Sequence, residues 1–468
     1  MKVVITGGGM VGLSTSMLLA GDGHEVTVVE RDSAPPPEPT DAWSSWERRG
    51  VNQFRLAHLF LCRFRSVIEA ELPKLSDALV AAGAIRYNIV ENIPDDMKGG
   101  PRPDDGRFDL ISGRRTVVES VTARVAETTP GVTVRRGAPV QRLLTGASAR
   151  DGVPNVVGVE LDGGERIDAD LVIDAAGRRS ALPRLIAEAG GAPAGEELDD
   201  SGFVYYGRHF ASKDGSMPFM FGPLKQDIGS ISVLTLPADN GTWSVTFIAS
   251  SKDSALRALT DPKKWEAAIR SLPLVAHWID ADPIDDGVTV MAKIEDRIRD
   301  FAPDGKPVAT GVLAVGDSWS CTNPSLGRGV SIGAMHAVLL RDTLRELKDA
   351  EPWNLASSWY EVTRTEMEPW YRTTLNYDRH RLQEVQSIIE GRQFSTDDKE
   401  WIATKTMEAQ SMNSPELLRA MLDMGMLLRR PDEVTDDPAI KDLLAGADPS
   451  IESPSLGPSR AELLEAIS

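Results

Sequence analysis

The sequence predicts an α/β fold: a Rossmann-like domain with a parallel sheet, an inserted and mainly antiparallel second sheet, and a helical region after both. Three observations predict it. Residues 1–32 alternate strand, glycine turn, helix and strand patterns. A second glycine-bearing strand end occurs some 300 residues later, at Gly316-Asp317. Between them, residues 202–289 are rich in β-branched and aromatic residues, the composition of a half-buried sheet.

The first unit is the most informative. The run 1–6 reads as a buried strand, 13–20 as an apolar helix face, and 25–30 as a second strand. Gly7, Gly9 and Gly12 occupy the three glycine positions of a dinucleotide fingerprint. The first permits the tight turn, the second lets backbone approach a pyrophosphate, and the third lets helix and strand pack closely. The pyrophosphate then meets the free N–H groups of the helix start. Glu30 closes the second strand, where it can accept hydrogen bonds from a ribose diol and would repel a 2′-phosphate. Replacing it is expected to weaken nucleotide binding and leave the fold intact. Arg31 beside it can cover an adenine or face water.

The chain then reads in order. Residues 33–43 hold four prolines and predict an irregular loop. A helix is expected over about 58–81, and a Pro/Asp/Gly-rich excursion over 88–109. A further helix starts near Arg114 and runs to about 128. Strands follow at 132–135 and 139–143, with a hairpin around Asp162-Gly163-Gly164. Residues 170–180 read as a buried strand ending in acid, small residues and glycine, the place where open α/β sheets bind ligands. In the inserted sheet, strands are expected at 203–206, 231–236 and 242–249, with a helix over 263–271. The first sheet resumes with a strand over 308–315, a loop over 318–329 and a helix over 330–347. A long amphipathic helix is expected over 353–384. The stretch 400–429 carries Met407, Met412, Met421, Met424 and Met426, which suit irregular gaps. It reads as a helical domain packed on the others, with a pocket lid or dimer contact as the alternative. Residues 431–468 read as a loosely held acidic tail with short helices. The predicted division is 1–185, 186–295, 296–350 (completing the first domain) and 351–468.

Composition excludes several classes. The formal charge of −19 over 468 residues disfavours nucleic acid or an anionic membrane as partner. No run approaches the ~18 apolar residues of a membrane span, and no leader precedes the first strand, so a cytoplasmic protein is expected. Two cysteines far apart, Cys62 and Cys321, fit a reducing compartment. The six histidines show no metal-ligand spacing, so no metal is expected. No Gly-x-Ser-x-Gly elbow is present, which removes a hydrolase reading.

Three separated motifs in this order resemble the FAD-dependent aromatic hydroxylase superfamily, the fold of p-hydroxybenzoate hydroxylase, with its squalene epoxidase-like, geranylgeranyl reductase-like and halogenase-like branches. They are the fingerprint with Glu30, the stretch 170–180, and Gly316-Asp317 with Asn323-Pro324 and Gly327-Arg328-Gly329. The resemblance covers about residues 1–380 and implies non-covalently bound FAD. By the match, Asp317 binds the ribityl chain and the loop from Pro324 to Gly329 lies along the isoalloxazine. Arg48 contacts the phosphates, Arg115 stands on the flavin side of a helix start, and the backbone near Val140 faces adenine. Tyr205, Tyr206 and His209, on the first inserted strand, are candidate substrate contacts.

The resemblance implies a monooxygenase of secondary metabolism, hydroxylating or epoxidising an aromatic or polycyclic small molecule with O₂ through a flavin C4a-hydroperoxide. The alternatives are a reductase or dehydrogenase of a prenyl or other hydrophobic molecule, and a non-catalytic FAD carrier. Two departures bear on the electron source. Ala176-Gly177 replaces the family's Asp-Gly, and Arg328 stands where glutamine is common. The first favours reduced FAD supplied by a partner reductase. The second favours NAD(P)H bound at the flavin face. The halogenase Trp-x-Trp-x-Ile-Pro motif is absent from the sequence.

Overall fold

The computed structural model describes residues 1–148, 150–447 and 456–468. The elements that position the site, in chain order, begin with β1 (Lys2–Thr6), α1 (Met10–Gly21) and β2 (Glu25–Glu30). Then come α2 (Cys62–Glu71), α3 (Pro73–Ala81), α4 (Arg115–Glu127), β3 (Val132–Arg136) and β4 (Leu171–Asp174). The insert holds β5 (Phe203–Ala211), β6 (Lys225–Ile228), β7 (Ile231–Pro237), β8 (Thr242–Ser250) and α5 (Pro262–Arg270). Last are β9 (Val312–Ala314), α6 (Gly329–Glu346), α7 (Pro352–Glu366), α8 (Glu368–Ile389), α9 (Lys399–Gln410), α10 (Pro415–Gly425) and α11 (Arg460–Ala466).

The central sheet is parallel, in the order β9-β4-β1-β2-β3. Val3 to Ile5 of β1 are all buried, as expected where helices cover both faces of a parallel sheet. The strand ends converge because Thr6, Asp174 and Ala314 stand in register across β1, β4 and β9. The insert leaves and rejoins this domain through one antiparallel pair, Gly195–Asp200 with Glu295–Asp300. Its main sheet runs β6-β7-β8-β5, all antiparallel. One face packs on α5 and α11, with Trp265, Trp278 and Leu463 at the core. The other faces the nucleotide-side domain.

Three boundaries differ from the sequence reading. The helix expected over 58–81 is two helices, broken at Leu72 (φ −134°, ψ 56°) before Pro73. The helix expected over 353–384 breaks at Met367, just before Glu368-Pro369 opens α8. In both cases proline disfavours helical backbone before it and suits a helix's first turn. The strand expected over 308–315 is regular only at Val312–Ala314: Gly311 takes φ +71°, and Thr310 before it makes an isolated parallel bridge to Asn155. The excursion at 88–109 holds a short helix, Asp95–Lys98, and pairs Ile85–Asn88 with Asp109–Ser112.

The tail expectation needs correction. Residues 448–455 of that stretch lie outside the described residues. Around them, Val434 and Ile440 are buried against α9 and α10, and Leu463 and Ile467 of the last helix are buried in the core of the inserted sheet. Apolar residues at helical spacing hold these short helices down. Among the described residues, no helix is long and apolar enough to cross a membrane.

Candidate functional site

One cavity of about 1130 Å³ runs from the first glycine turn to the C-terminal helices. The glycines divide their duties as their spacing predicts. Gly7 takes φ +102°, and a Cβ there would lie 2.5 Å from the Ala175 carbonyl oxygen. A Cβ on Gly12 would lie 2.1 Å from the Gly7 carbonyl oxygen, so this glycine lets α1 close on the turn. A Cβ on Gly9 would meet nothing within 4 Å. Gly9 faces the cavity, and no side chain caps α1 there, so the helix start offers N–H donors to a ligand.

Behind the turn lies a buried ionic chain. Glu30 Oε2 accepts from the Gly8 N–H (2.8 Å) and from Arg48 Nη2 (2.8 Å), and Oε1 accepts from the Asp32 N–H (2.9 Å). Arg48 also donates to Asp32, to the Gly8 carbonyl and to Glu119. Those bonds use four of its five N–H groups. Arg48 is therefore occupied in gathering carboxylates, and one N–H is left to meet a phosphate. Glu30 ties down the turn as well as facing the cavity, a structural duty that the sequence does not announce.

The chain continues from Glu119 to Arg115 (2.5 Å) and from Arg115 Nη1 to His58 Nε2 (2.8 Å). Arginine can only donate, so His58 Nε2 accepts and its Nδ1–H donates to the Leu56 carbonyl (3.0 Å). Burial and the neighbouring Arg115 hold the His58 pKa well below its ordinary value, which leaves a neutral imidazole on the cavity wall.

At the other end of the sheet, Asp317 faces the cavity. Among the described residues no hydrogen bond or ion pair engages its carboxylate. Burial raises its pKa, opposed by Arg178, Arg115 and Arg299. An unengaged carboxylate at a strand end suits a hydroxyl-bearing ligand. Beside it, the loop 323–329 is held from three sides. The Asn323 N–H donates to Asp296 (2.6 Å), Tyr205 Oη donates to Asn323 Oδ1 (2.7 Å), and Ser325 Oγ donates to Asp378 Oδ1 of α8 (2.6 Å). No side chain caps α6 where it leaves this loop. Arg328, buried at 6 % exposure, donates to Thr374 Oγ1 (3.0 Å) while its Nε has no partner among the described residues. Burial lowers its pKa to about 10, with Asp378 opposing. Arg178 likewise has no ion-pair partner among the described residues and lines the cavity. In a chain of −19, two guanidiniums with no ion-pair partner among the described residues mark a wall suited to an electron-rich group.

Of the residues singled out in the sequence, the cavity brings together Gly7, Gly9, Glu30, Arg31, Arg48, Arg115, Val140, Asp317, Pro324, Gly327, Arg328, Gly329 and Tyr205. Gly12 and Gly316 lie behind the wall, against Gly7 and Val11. Tyr206 and His209 do not reach it. Strand side chains alternate, so Tyr206 enters the insert's own core. His209 shares the Tyr205 face but sits under Trp43, ring centroids 4.5 Å apart. Sequence reasoning missed His58, Arg178 and Asp378. Arg178 lay within the stretch 170–180 already singled out, and the other two carry no motif.

A fit to FAD rests on these features: an extended cavity with an open glycine turn at one end, a free carboxylate and an uncapped helix start at the other. No family model matches the chain. It is 26% identical over 389 residues to protein Rv3254 of Mycobacterium tuberculosis, covering 77% of this chain and 76% of that protein. Among solved structures it is similar to PqsL of Pseudomonas aeruginosa, described as a probable FAD-dependent monooxygenase, with TM-score 0.58 and 17% identity over 82% of this chain and 96% of that one. It is also similar to the myxobacterial chondrochloren halogenase CndH, a FAD-dependent halogenase, with TM-score 0.60 and 17% identity over 91% of this chain and 96% of that one. The chain has the fold of these FAD-dependent monooxygenases and halogenases.

Proposed function

We propose that this protein is an FAD-dependent monooxygenase acting on an aromatic or polycyclic small molecule. The observation that carries the reading is the single cavity that joins the open Gly9 turn to the free Asp317 carboxylate and the loop 323–329. FAD, when bound, supplies the activation of O₂ and the transfer of one oxygen atom. The residues do the rest. Glu30 has used three acceptor positions and keeps one for a ribose hydroxyl. Asp317 accepts from the ribityl chain. The N–H groups opening α6 would hold an electron-rich edge of the flavin, and Arg328 and Arg178 would add positive charge there. The inserted sheet would keep water from a bound flavin, with Tyr205 holding Asn323 of the loop.

A reductase or dehydrogenase of a hydrophobic molecule is the second reading, supported by the resemblance, since Ala176-Gly177 stands in place of Asp-Gly as in its halogenase-like and reductase-like branches. Substrate-dependent oxygen uptake matched by hydroxylated product separates the two. The electron source is NAD(P)H or a partner flavin reductase, and anaerobic mixing with NADH and NADPH identifies which. The first test is simpler: purified protein should be yellow, and acid or heat should release all of its FAD. Colourless protein that ignores added FAD would end the proposal.

A further inference from the structure

The methionines of the C-terminal helices remain unexplained by cofactor binding. Met407, Met412, Met421, Met424 and Met426 all line the cavity, together with Met97 from the excursion. We propose that α9, α10 and the excursion at 88–109 build a second compartment of this cavity, one that takes a flat, uncharged, apolar ring system of the substrate. The proposal rests on reading the remainder of the cavity as the flavin site.

The polar face of α10 is fixed to the excursion. Arg419 donates to Asp105 (2.7 and 2.8 Å) and to the Lys98 carbonyl (2.6 Å). Arg107 pairs with Asp423 (2.9 Å) and Arg102 with Glu416 (2.6 Å). These bonds set the helix's orientation and leave Leu418, Met421, Leu422 and Gly425, at helical spacing, toward the cavity. Apolar wall next to solvent-sized space is unfavourable until a ligand covers it.

The wall also specifies charge. Its ionic groups neutralise one another: Lys225 with Asp227 (2.6 Å) and Lys405 with Glu408 (2.7 Å). Tyr377 Oη donates to Asp227 (2.9 Å). Glu400 is the exception: exposed, it accepts from Asn376 Nδ2 (3.2 Å) and has no ion-pair partner among the described residues. The rings of Tyr377 and Trp401, 5.5 Å apart, are part of the wall. Thioether sulfur and these rings favour aromatic surface, and methionine adapts to its outline. The compartment is also joined to the reactive end. Thr374, which holds Arg328, and Tyr377 are three residues apart on α8, about one helical turn. A ring system seated on Tyr377 therefore extends toward the loop 323–329.

The test uses FAD-loaded protein with methyl-labelled methionine and the neutral three-ring probe 1-aminoanthracene. Saturable fluorescence is expected, with the methyl resonances of Met421, Met424 and Met426 shifting on titration. Met424→Glu should weaken the probe about tenfold or more while the FAD dissociation constant stays within about twofold. Should that variant misfold, the wild-type methyl shifts decide alone. Unmoved methyls, or unchanged probe affinity in folded Met424→Glu, would overturn the compartment. Probe-induced shifts in a protein that takes up no FAD would sink the flavin reading and leave the compartment standing.

Discussion

Of the two carboxyls holding the flavin-side loop, Asp378 is the one whose titration burial moves further. Burial raises its pKa from 3.8 to about 7, against the hydrogen bond from Ser325 and the nearby Asn323 amide. Asp296 nearby is raised to about 6 for the same reason, and Lys225 acts at longer range in the opposite sense. A raised folded-state pKa means that the unfolded chain gives up its proton first. Between about pH 4 and pH 7 the folded protein binds the extra proton, so stability falls as pH rises through that window and levels above it. Asp378→Asn keeps an acceptor for Ser325 and removes the titration. The variant should match the wild type near pH 4 and melt at higher temperature near pH 8; Asp296, whose charge raises the Asp378 pKa, titrates in both proteins. Parallel melting curves across the range would show that Asp378 is ionised or solvated at neutral pH. At Glu30 the expectation from sequence needs revision. Glu30→Ala strips an acceptor from Gly8, Asp32 and Arg48 together. Removing one partner of a buried ion pair costs about 3–5 kcal/mol. Arg48 keeps Asp32 and Glu119, so the lower end is expected. Ligand-free Glu30→Ala should therefore unfold at lower denaturant. FAD affinity should also fall, by about a hundredfold for a lost charged hydrogen bond. An unchanged denaturation midpoint would restrict Glu30 to ligand binding.

Among the elements, the β1–α1–β2 unit separates folding from binding within one turn. At Gly12 a methyl has 2.1 Å to the Gly7 oxygen, and at Gly9 it has open space. Gly12→Ala should cost about 1–3 kcal/mol of stability through overpacking. Gly9→Ala should melt with the wild type and lose FAD affinity, because the added methyl stands where the cofactor backbone must approach. A Gly9→Ala protein that binds FAD normally would place the ligand elsewhere. This unit was legible because each of its constraints is local: strand, turn and helix are adjacent in sequence, and each glycine answers to a neighbour within a few residues. Legibility failed where partners are distant. The clamp of Ser325 by Asp378 spans 53 residues and that of Asn323 by Tyr205 spans 118, and no spacing rule connects them. Tyr206 and His209 failed for a different reason. Strand alternation is readable, but which face meets the cavity is settled only by how the insert docks. The helix breaks at Leu72 and Met367 were readable from Pro73 and Pro369, and the apolar periodicity on either side masked them.

At the scale of the whole molecule, the C-terminal region holds the other parts together. α10 is tied to the excursion by Arg419, Arg107 and Arg102, while Arg63 of α2 donates to the Leu427 and Leu428 carbonyls (both 2.7 Å). The last helix returns to the inserted sheet. Leu463 and Ile467 enter its core, and Arg460 pairs with the buried Asp253. The inserted sheet is thus fastened to the rest by its antiparallel neck at 195–200 and 295–300, by α8, and by an apolar plug more than 150 residues later in sequence. α8 supplies Arg381, which donates to the Gly229 and Ile231 carbonyls (both 2.9 Å). If the plug completes that core, Leu463→Ala should act far from its own helix. Truncating a buried leucine costs about 2–5 kcal/mol. The loss should appear as faster amide exchange in β7 and β8, which carry Ile231, Val233, Val245 and Phe247 of the same core. Exchange in β1, β2 and β4 should hardly change, since their core is a separate cluster. FAD bound at the glycine turn should protect that central sheet equally in both proteins. Uniform acceleration across both sheets would mean that the two cores unfold as one unit, and no change in the insert would mean that the last helix merely rests on its surface.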